Sequence, residues 1–297
     1  MTRRSGYVAL VGWTNVGKST LLNRLVGEKI AAVSDVPQTT RGRILAVRTD
    51  PERGQAVFVD TPGFHRPEHR LNQAMVEVAR QSIDGVDLAL LVVDASRGVG
   101  EGDLTTAKLL ERAGVARVAL LNKIDLVTPK SLLLPLMERL SAEAGPIEVI
   151  PVSARTGEGC DLLLDRVFAL LPEGDPPFDE DYLTDQPERQ LAAEWIREKL
   201  LHATRQEVPH ALAVLVEGWR TREDGLVEID AVILVERDSQ KGIVIGKRGA
   251  VLKSVGSAAR EEIERMLGAR VFLRLFVKVQ PEWRDDERAL RELGLSS

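Results

Sequence analysis

The chain has 297 residues, of which 44% are apolar and 29% charged, enough to bury a sizeable core in one to three domains; a soluble globular protein is expected. Its net charge of −5 argues against a nucleic-acid partner for the molecule as a whole. The charge is uneven, however: residues 237–278 hold ten Lys or Arg against four Asp or Glu, a local +6 that leaves −11 elsewhere, and this suits either a module for an anionic polymer or a solvated basic face.

Arg3 and Arg4 precede an apolar stretch broken by Gly12 and Asn15 with no small-residue cleavage site, so no export signal is expected. Residues 7–11, 56–60, 88–94, 118–122 and 148–152 are apolar runs of strand length, separated by helical spacing such as 71–83 and 105–113. The longest, around 88–93, is far shorter than the roughly 20 residues that span a bilayer. Strands alternating with helices predict right-handed crossovers and a mostly parallel, doubly wound α/β sheet. Residues 42–49 and 56–60, joined by Asp50-Pro51-Glu52-Arg53-Gly54-Gln55, read as a hairpin that adds one antiparallel edge strand. After a helical stretch at 161–171, the segment LPEGDPPFDEDYLTDQPE has no period and reads as a linker. A helix (189–204), paired strands (211–219 and 226–236), a short helix (241–246), a glycine turn (246–249), a helix (250–267) and a strand (271–279) follow. The expected division is a first domain over 1–172, a linker over 173–188 and an α+β domain over 189–297. Cys160 stands alone, matches no metal or nucleophile pattern, and reads as a packing residue in a reducing compartment.

Gly12-Trp13-Thr14-Asn15-Val16-Gly17-Lys18-Ser19 satisfies G-x-x-x-x-G-K-[ST] between a predicted strand and a predicted helix, the context this phosphate loop demands. Its backbone N–H groups and the helix N-terminus can face phosphate oxygens, Lys18 can neutralise β and γ charge, and the Ser19 hydroxyl can ligate Mg²⁺. The nucleotide set expected here is Gly12, Asn15, Val16, Gly17, Lys18, Ser19 and Thr20. The base is addressed by Asn122-Lys123-Ile124-Asp125 at a carboxyl strand edge, where ligands lie in doubly wound sheets. An aspartate there accepts from the N1–H and exocyclic amine of guanine, a donor pair that adenine lacks. Ser153-Ala154, after the next strand, offers a backbone N–H to the guanine oxygen. Asn-Lys-x-Asp alone occurs in many loops; the ordered set is specific.

With GWTNVGKS, PQTTR, DTPG, NKID and SA in order, residues 6 to about 171 resemble a translation-factor-class GTPase domain. The resemblance implies that Asp60 holds Mg²⁺ through water, that the Gly63 N–H senses the γ-phosphate, and that Thr40 completes the metal shell, with Thr39 its nearest competitor. Asp60 on its own would read as a strand-end or turn aspartate. Lys18, Thr40, Asn15 and Gly63 are the expected catalytic set. Phe64 stands where many small G proteins place a water-orienting glutamine, so slow intrinsic turnover is expected. The resemblance also implies K⁺ held by Asn15 and carbonyls near residues 36–38, in place of an arginine finger; otherwise Asn15 caps the turn. His65 and His69 share no helix face, because Pro67 lies between them, and no third ligand is near, so no zinc site is expected.

Gly246-Lys247-Arg248-Gly249 would let backbone approach a nucleic-acid strand while two cations meet phosphates, with Lys241 and Lys253 nearby. A bare G-x-x-G is weak. Its setting, with Ile243-Val244-Ile245 before it and an apolar-spaced helix after it, resembles a type II KH domain, against the plainer reading of an α+β domain with a glycine turn. Together with REKLLHATRQEVPHALAV and EWRDDERALRELGL, the chain resembles the Era family of bacterial GTPases over nearly its whole length. Trp13-Thr14 departs from the Arg-Pro usual in that family, and PERQ from a more aromatic stretch. The resemblance implies GTP/GDP and Mg²⁺ as ligands, binding near the 3′ end of small-subunit ribosomal RNA, a part in 30S maturation, and no DNA partner. It further implies a cytoplasmic monomer with peripheral contact at the inner face of the cell membrane. Two alternatives stand beside it: a Der-type ribosome GTPase, against which the single phosphate loop speaks, and a nucleotide-gated RNA-binding scaffold with negligible turnover.

Overall fold

The computed structural model describes residues 2–36, 39–64, 69–145, 147–204 and 208–294, without the side chains of Pro209 and His210. The chain folds as two units. The first comprises Met1–Ala31, Thr40–Arg66 and Met75–Asp185, and the second Ala32–Thr39, Pro67–Ala74 and Gln186–Ser297.

In the first half of the chain the elements run β1 (Arg4–Val11), α1 (Lys18–Val26), β2 (Ile44–Asp50), β3 (Gly54–Asp60), α2 (Arg70–Gln81), β4 (Leu88–Asp94), α3 (Glu101–Ala113), β5 (Ala116–Asn122), α4 (Leu133–Glu143), β6 (Glu148–Pro151) and α5 (Cys160–Leu170). The sheet order is β2-β3-β1-β4-β5-β6; only β2 is antiparallel to its neighbour, which is the expected hairpin. Every residue of β3 and β4 is buried, as unbroken apolar runs in a doubly covered parallel sheet must be. Asp60, Asp94 and Asn122 therefore end their strands at one sheet edge, where the loops carrying function emerge. Cys160 is buried at the start of α5, and burial pushes its thiol pKa up.

The segment read as a linker is laid down in an ordered path through Asp185. Phe178 and Tyr182 stack with ring centres 4.5 Å apart, and the Gln55 side chain both donates to the Phe178 carbonyl and accepts from its N–H. Val47 N–H donates to the Leu183 carbonyl (2.8 Å), and the Thr184 hydroxyl to the Leu45 carbonyl (2.6 Å). These bonds occupy the outer edge of β2, which would otherwise present unpaired backbone groups.

The second unit adds α6 (Glu188–Ala203), β7 (Ala213–Thr221), β8 (Val227–Val235), α7 (Asp238–Ile245), α8 (Ala250–Leu267), β9 (Val271–Val279) and α9 (Glu287–Glu292). β7 pairs antiparallel with β8, and β9 lies parallel to β8. The helix α8 buries Val255, Ala259 and Ile263, at helical spacing, in the core that α6 and the sheet share, and Glu262, which pairs with Lys199 of α6. By contrast, α6 is buried around most of its surface and takes Arg197 and Glu198 into the interior with its apolar residues.

Candidate functional site

The phosphate loop leaves β1 at Gly12 and enters α1 through Gly17, whose φ of +96° is left-handed. A Cβ on Gly17 would stand 2.4 Å from the side-chain nitrogen of Asn122, so both the backbone and the space call for glycine. Lys18, only 7% exposed, folds its ammonium back onto the carbonyls of Gly12 (3.1 Å) and Trp13 (2.9 Å). Burial lowers its pKa from 10.5 to about 8, and the charge of Asp60 offsets only part of that. Phe64 N–H donates to the Gly12 carbonyl (3.2 Å), and a Cβ on Gly63 would meet Thr14 backbone at 2.7 Å. The DTPG turn thus lies directly against the phosphate loop. Val16 is buried; Asn15 and Thr20 are half-buried.

Three oxygens converge beside Lys18. Ser19 Oγ lies 2.7 Å from Thr40 Oγ1 and donates to Asp60 Oδ2 at 2.8 Å, while Thr40 Oγ1 donates to the same oxygen at 3.2 Å. Asp60 is fully buried, burial pushes its carboxyl pKa up, and its second oxygen, Oδ1, has no hydrogen-bond partner among the described residues. A buried carboxylate oxygen left unpaired costs free energy unless something cationic or a bound water meets it. Hard oxygens of this kind fit Mg²⁺. The structure also separates the two threonines: Thr39 turns its hydroxyl to the Val36 carbonyl (2.8 Å), and Thr40 faces Ser19 and Asp60.

Asn122, also buried, crosslinks two loops by donating to the Val16 carbonyl (2.8 Å) and accepting from Ala154 N–H (2.9 Å). Lys123 donates to the Asn15 carbonyl (2.5 Å) and pairs with Asp94 (2.7 Å). Asp125 accepts from the Ser153 hydroxyl (2.7 Å) and pairs with Arg155 (2.7 Å), and these hold its carboxyl below the usual range, the hydroxyl contributing most. The expected N–H for the guanine oxygen is already engaged here: Ser153 N–H donates to the Glu158 carbonyl and Ala154 N–H to Asn122. Either must be shared or released to serve a base, because a buried amide takes whatever partner its own loop offers. Three residues escaped the sequence reading. Asp94 orients Lys123, Arg155 pairs with Asp125, and Arg24 holds the carbonyls of Ala154 (3.2 Å) and Arg155 (2.7 Å). Asp94 left one signal, an acid closing an apolar strand as Asp60 does. Asn15 has φ +63°. Of the carbonyls expected to join it around K⁺, those of Pro37 and Gln38 lie outside the described residues, as does His65. His69 bonds Asp285 (3.1 Å).

In the second unit the G-x-x-G turn follows α7 and opens α8, with Gly246, Arg248 and Gly249 all at positive φ. Lys247, Arg248 and Lys253 are exposed, and Lys241 is half-buried on α7. Beside the turn runs a groove of about 520 Å³ between α8 and β9, lined by Gly249, Leu252, Lys253, Gly256, Ser257, Arg260, Phe272, Leu273 and Leu275. Its apolar floor and cationic rim suit bases and phosphates respectively.

Residues 7–123 match the family model described as a 50S ribosome-binding GTPase, and residues 207–284 match the KH domain model. The GTPase Era of Trichlorobacter lovleyi is 50% identical over 293 residues, spanning 99% of this chain and 98% of the relative; that of Geobacter metallireducens is 52% identical over 295 residues, spanning 98% and 97%. A solved structure of Era in complex with MgGDPNP and nucleotides 1506–1542 of 16S ribosomal RNA superposes with a TM-score of 0.96 at 39% identity, covering 99% of this chain and all of that one. An Aquifex aeolicus Era variant bound to GDP and AlF₄⁻ gives the same TM-score, identity and coverage. A nucleotide-binding sheet edge followed by a KH domain, matched end to end by relatives half identical to it, makes this chain a member of the GTPase Era family.

Proposed function

We propose that this chain binds GTP and GDP with Mg²⁺, hydrolyses GTP slowly when alone, and grips single-stranded RNA near the 3′ end of small-subunit ribosomal RNA during assembly of the 30S particle. One observation carries the nucleotide half: the Ser19 and Thr40 hydroxyls converge on one oxygen of the buried Asp60 carboxylate, whose other oxygen has no partner among the described residues, beside a lysine whose charge burial disfavours. Mg²⁺, held by Ser19, Thr40 and a water on Asp60, would supply positive charge to the β and γ phosphates. Lys18 exchanges two backbone carbonyls for phosphate oxygens, and its ammonium regains a full charge partner. Gly63 N–H, on the turn against the phosphate loop, meets the γ-phosphate. Phe64 offers the attacking water no strong hydrogen bond, so turnover without a partner is slow. Asp125 selects guanine, with Ser153 and Arg155 pre-orienting its carboxylate.

Residues 1–172 form the nucleotide domain in this reading, 189–297 the RNA domain, and 173–188 the connection. The RNA surface comprises Gly246, Lys247, Arg248 and Gly249 with Lys241 and Lys253. The family model names the large ribosomal subunit; the small-subunit assignment is supported by the solved relative that carries 16S RNA. Asn15 would hold K⁺, which would offset charge between the phosphates. GTP hydrolysis equal in KCl and NaCl, for the native chain and Asn15→Ala, removes that part alone. The chain is further proposed to act as a cytoplasmic monomer with peripheral contact at the inner face of the membrane; no described helix is long and apolar enough to cross one. Sedimentation alone and with anionic vesicles tests both points.

The test of the whole is phosphate release and RNA binding by the purified chain, with an oligonucleotide of the 16S 3′ end and a scrambled control. Turnover that rises with the matched RNA and disappears in Lys18→Ala supports the proposal. A chain that retains neither GDP nor GTP overturns it, and one that holds GTP without releasing phosphate favours the scaffold reading.

A further inference from the structure

Two stretches from the first half of the sequence fold within the second unit: the described parts of Ala32–Thr39 and of Pro67–Ala74. In the first, Val33 N–H donates to Glu198 Oε2 (2.9 Å), Val36 packs on the apolar core of that unit, and the Thr39 carbonyl accepts from Arg197 Nη2. In the second, Asp285 accepts from Arg70 N–H (3.0 Å), and Glu287 pairs with the Arg70 guanidinium (2.6 Å).

Arg197 is the unusual member. Its side chain is 2% exposed, Glu194 is its carboxylate partner, and its Nη1 has no hydrogen-bond partner among the described residues. Burying a guanidinium is expensive unless its donors are used, and here one of the few it uses goes to a backbone carbonyl. That carbonyl shares a rigid peptide plane with the N–H of Thr40. Fixing it restricts the ψ of Thr39 and the φ of Thr40, and with them the direction in which the Thr40 hydroxyl leaves the backbone. Glu198 anchors the other end of the stretch, and Lys199, bonded to Glu198 (2.9 Å) and to Glu262 (2.5 Å), holds Glu198 in place.

We propose that Arg197, a residue of the RNA-binding half of the sequence, is a positioning residue for GTP hydrolysis: by holding the Thr39 carbonyl it aims the Thr40 hydroxyl at the metal position beside Ser19 and Asp60. This rests on the GTPase reading above, in which Thr40 completes the Mg²⁺ shell.

The test uses the full chain and the variants Arg197→Ala, Arg197→Lys, Glu194→Gln, Thr40→Ala and the double variant Arg197→Ala/Thr40→Ala. Arg197→Ala is expected to lower kcat about tenfold, as small misplacement of a catalytic group does. It should also raise the Mg²⁺ concentration for half-maximal rate and leave GDP affinity within about twofold. Arg197→Lys should recover part of the loss, and Glu194→Gln, which keeps the guanidinium but loosens its hold, should show a smaller loss of the same kind. Hydrogen exchange at the Thr40 and Arg41 amides, followed in the nucleotide-free protein, should quicken in Arg197→Ala. In the Thr40→Ala background the Arg197 substitution should add nothing, because the group it positions is gone. An Arg197→Ala loss that multiplies undiminished on Thr40→Ala overturns the inference, as does a folded Arg197→Ala with unchanged kcat and exchange. Where Arg197→Ala fails to fold, unchanged kcat in both Arg197→Lys and Glu194→Gln overturns it equally. If Thr40→Ala itself leaves kcat intact, the assignment of Thr40 in the GTPase reading has failed instead.

Discussion

The molecule places a lysine beside a glycine turn at a helix N-terminus twice, and builds the two differently. In the phosphate loop, Gly17 is hemmed in by Asn122 and the lysine is buried; in the G-x-x-G turn, Gly246 is hemmed in by Val251, but nothing lies within 4 Å of a Cβ on Gly249, and Lys247 and Arg248 are exposed. A site that must place charge against a γ-phosphate within tenths of an ångström needs a cradle fixed from several sides. A site that grips a flexible polymer by its backbone needs reach and solvated charge. The same local motif therefore says little about function until its surroundings are known.

Four experiments break or sharpen that contrast. Lys18→Ala should weaken GTP binding by about a hundredfold to a thousandfold, since a preorganised charge on the phosphates is lost. The same change should alter the stability of the nucleotide-free fold far less, because the cost of burying the ammonium opposes its attraction to Asp60 and its bonds to two carbonyls; GTP titration and urea unfolding read the two effects separately. Next, Asp125→Ala should reduce the preference for GTP over ATP by about a hundredfold, measured by competition.

The third experiment uses pH. In the nucleotide-free protein Lys18 gives up its proton near pH 8, whereas in the unfolded chain it does so near 10.5. The unfolded state thus binds more protons between these values, and stability should rise with pH across that window. Nucleotide binding restores the proton, so GTP affinity should fall over the same window, by up to about tenfold per pH unit. Calorimetry in buffers of differing ionisation enthalpy should register proton uptake on binding above pH 8. The smallest effect belongs to the exposed turn. Replacing Lys247 and Arg248 by Ala should weaken single-stranded RNA binding about threefold to tenfold, with the log–log salt slope reduced by about 1.4 for the two charges lost. GTP turnover without RNA should be unchanged.

Much of the first unit was legible because its signals are local. Apolar runs of strand length between helical spacings gave the sheet, and the Asp50–Gln55 connection gave its one antiparallel edge. The helix α4 escaped because Leu132, the residue before it, offers no capping side chain, and because it carries Pro135 in its first turn and exposes Leu134. The stretch read as a linker has no period, yet backbone pairing with β2 fixes its path, and such pairing leaves no trace in side-chain pattern. At the site, the motifs located the right loops but not their crosslinks. Arg24, Asp94 and Arg155 act through partners from 29 to 131 positions away. The free N–H expected at Ser153-Ala154 is taken up by Asn122 and Glu158 for the same reason.

The sequence by itself determined the α/β class, the order of the nucleotide motifs, the preference for guanine and the presence of a KH module, since each depends on residue types at short, fixed spacing. Only the tertiary structure decided that Thr40 and not Thr39 faces Ser19, that Asp60 keeps one oxygen unpaired, and that Lys18 sits deep enough to lose its ordinary pKa. It alone put the described residues of 32–39 with Arg197 in the second unit. Burial and partnership are properties of groups brought together from distant parts of the chain, and no local pattern carries them.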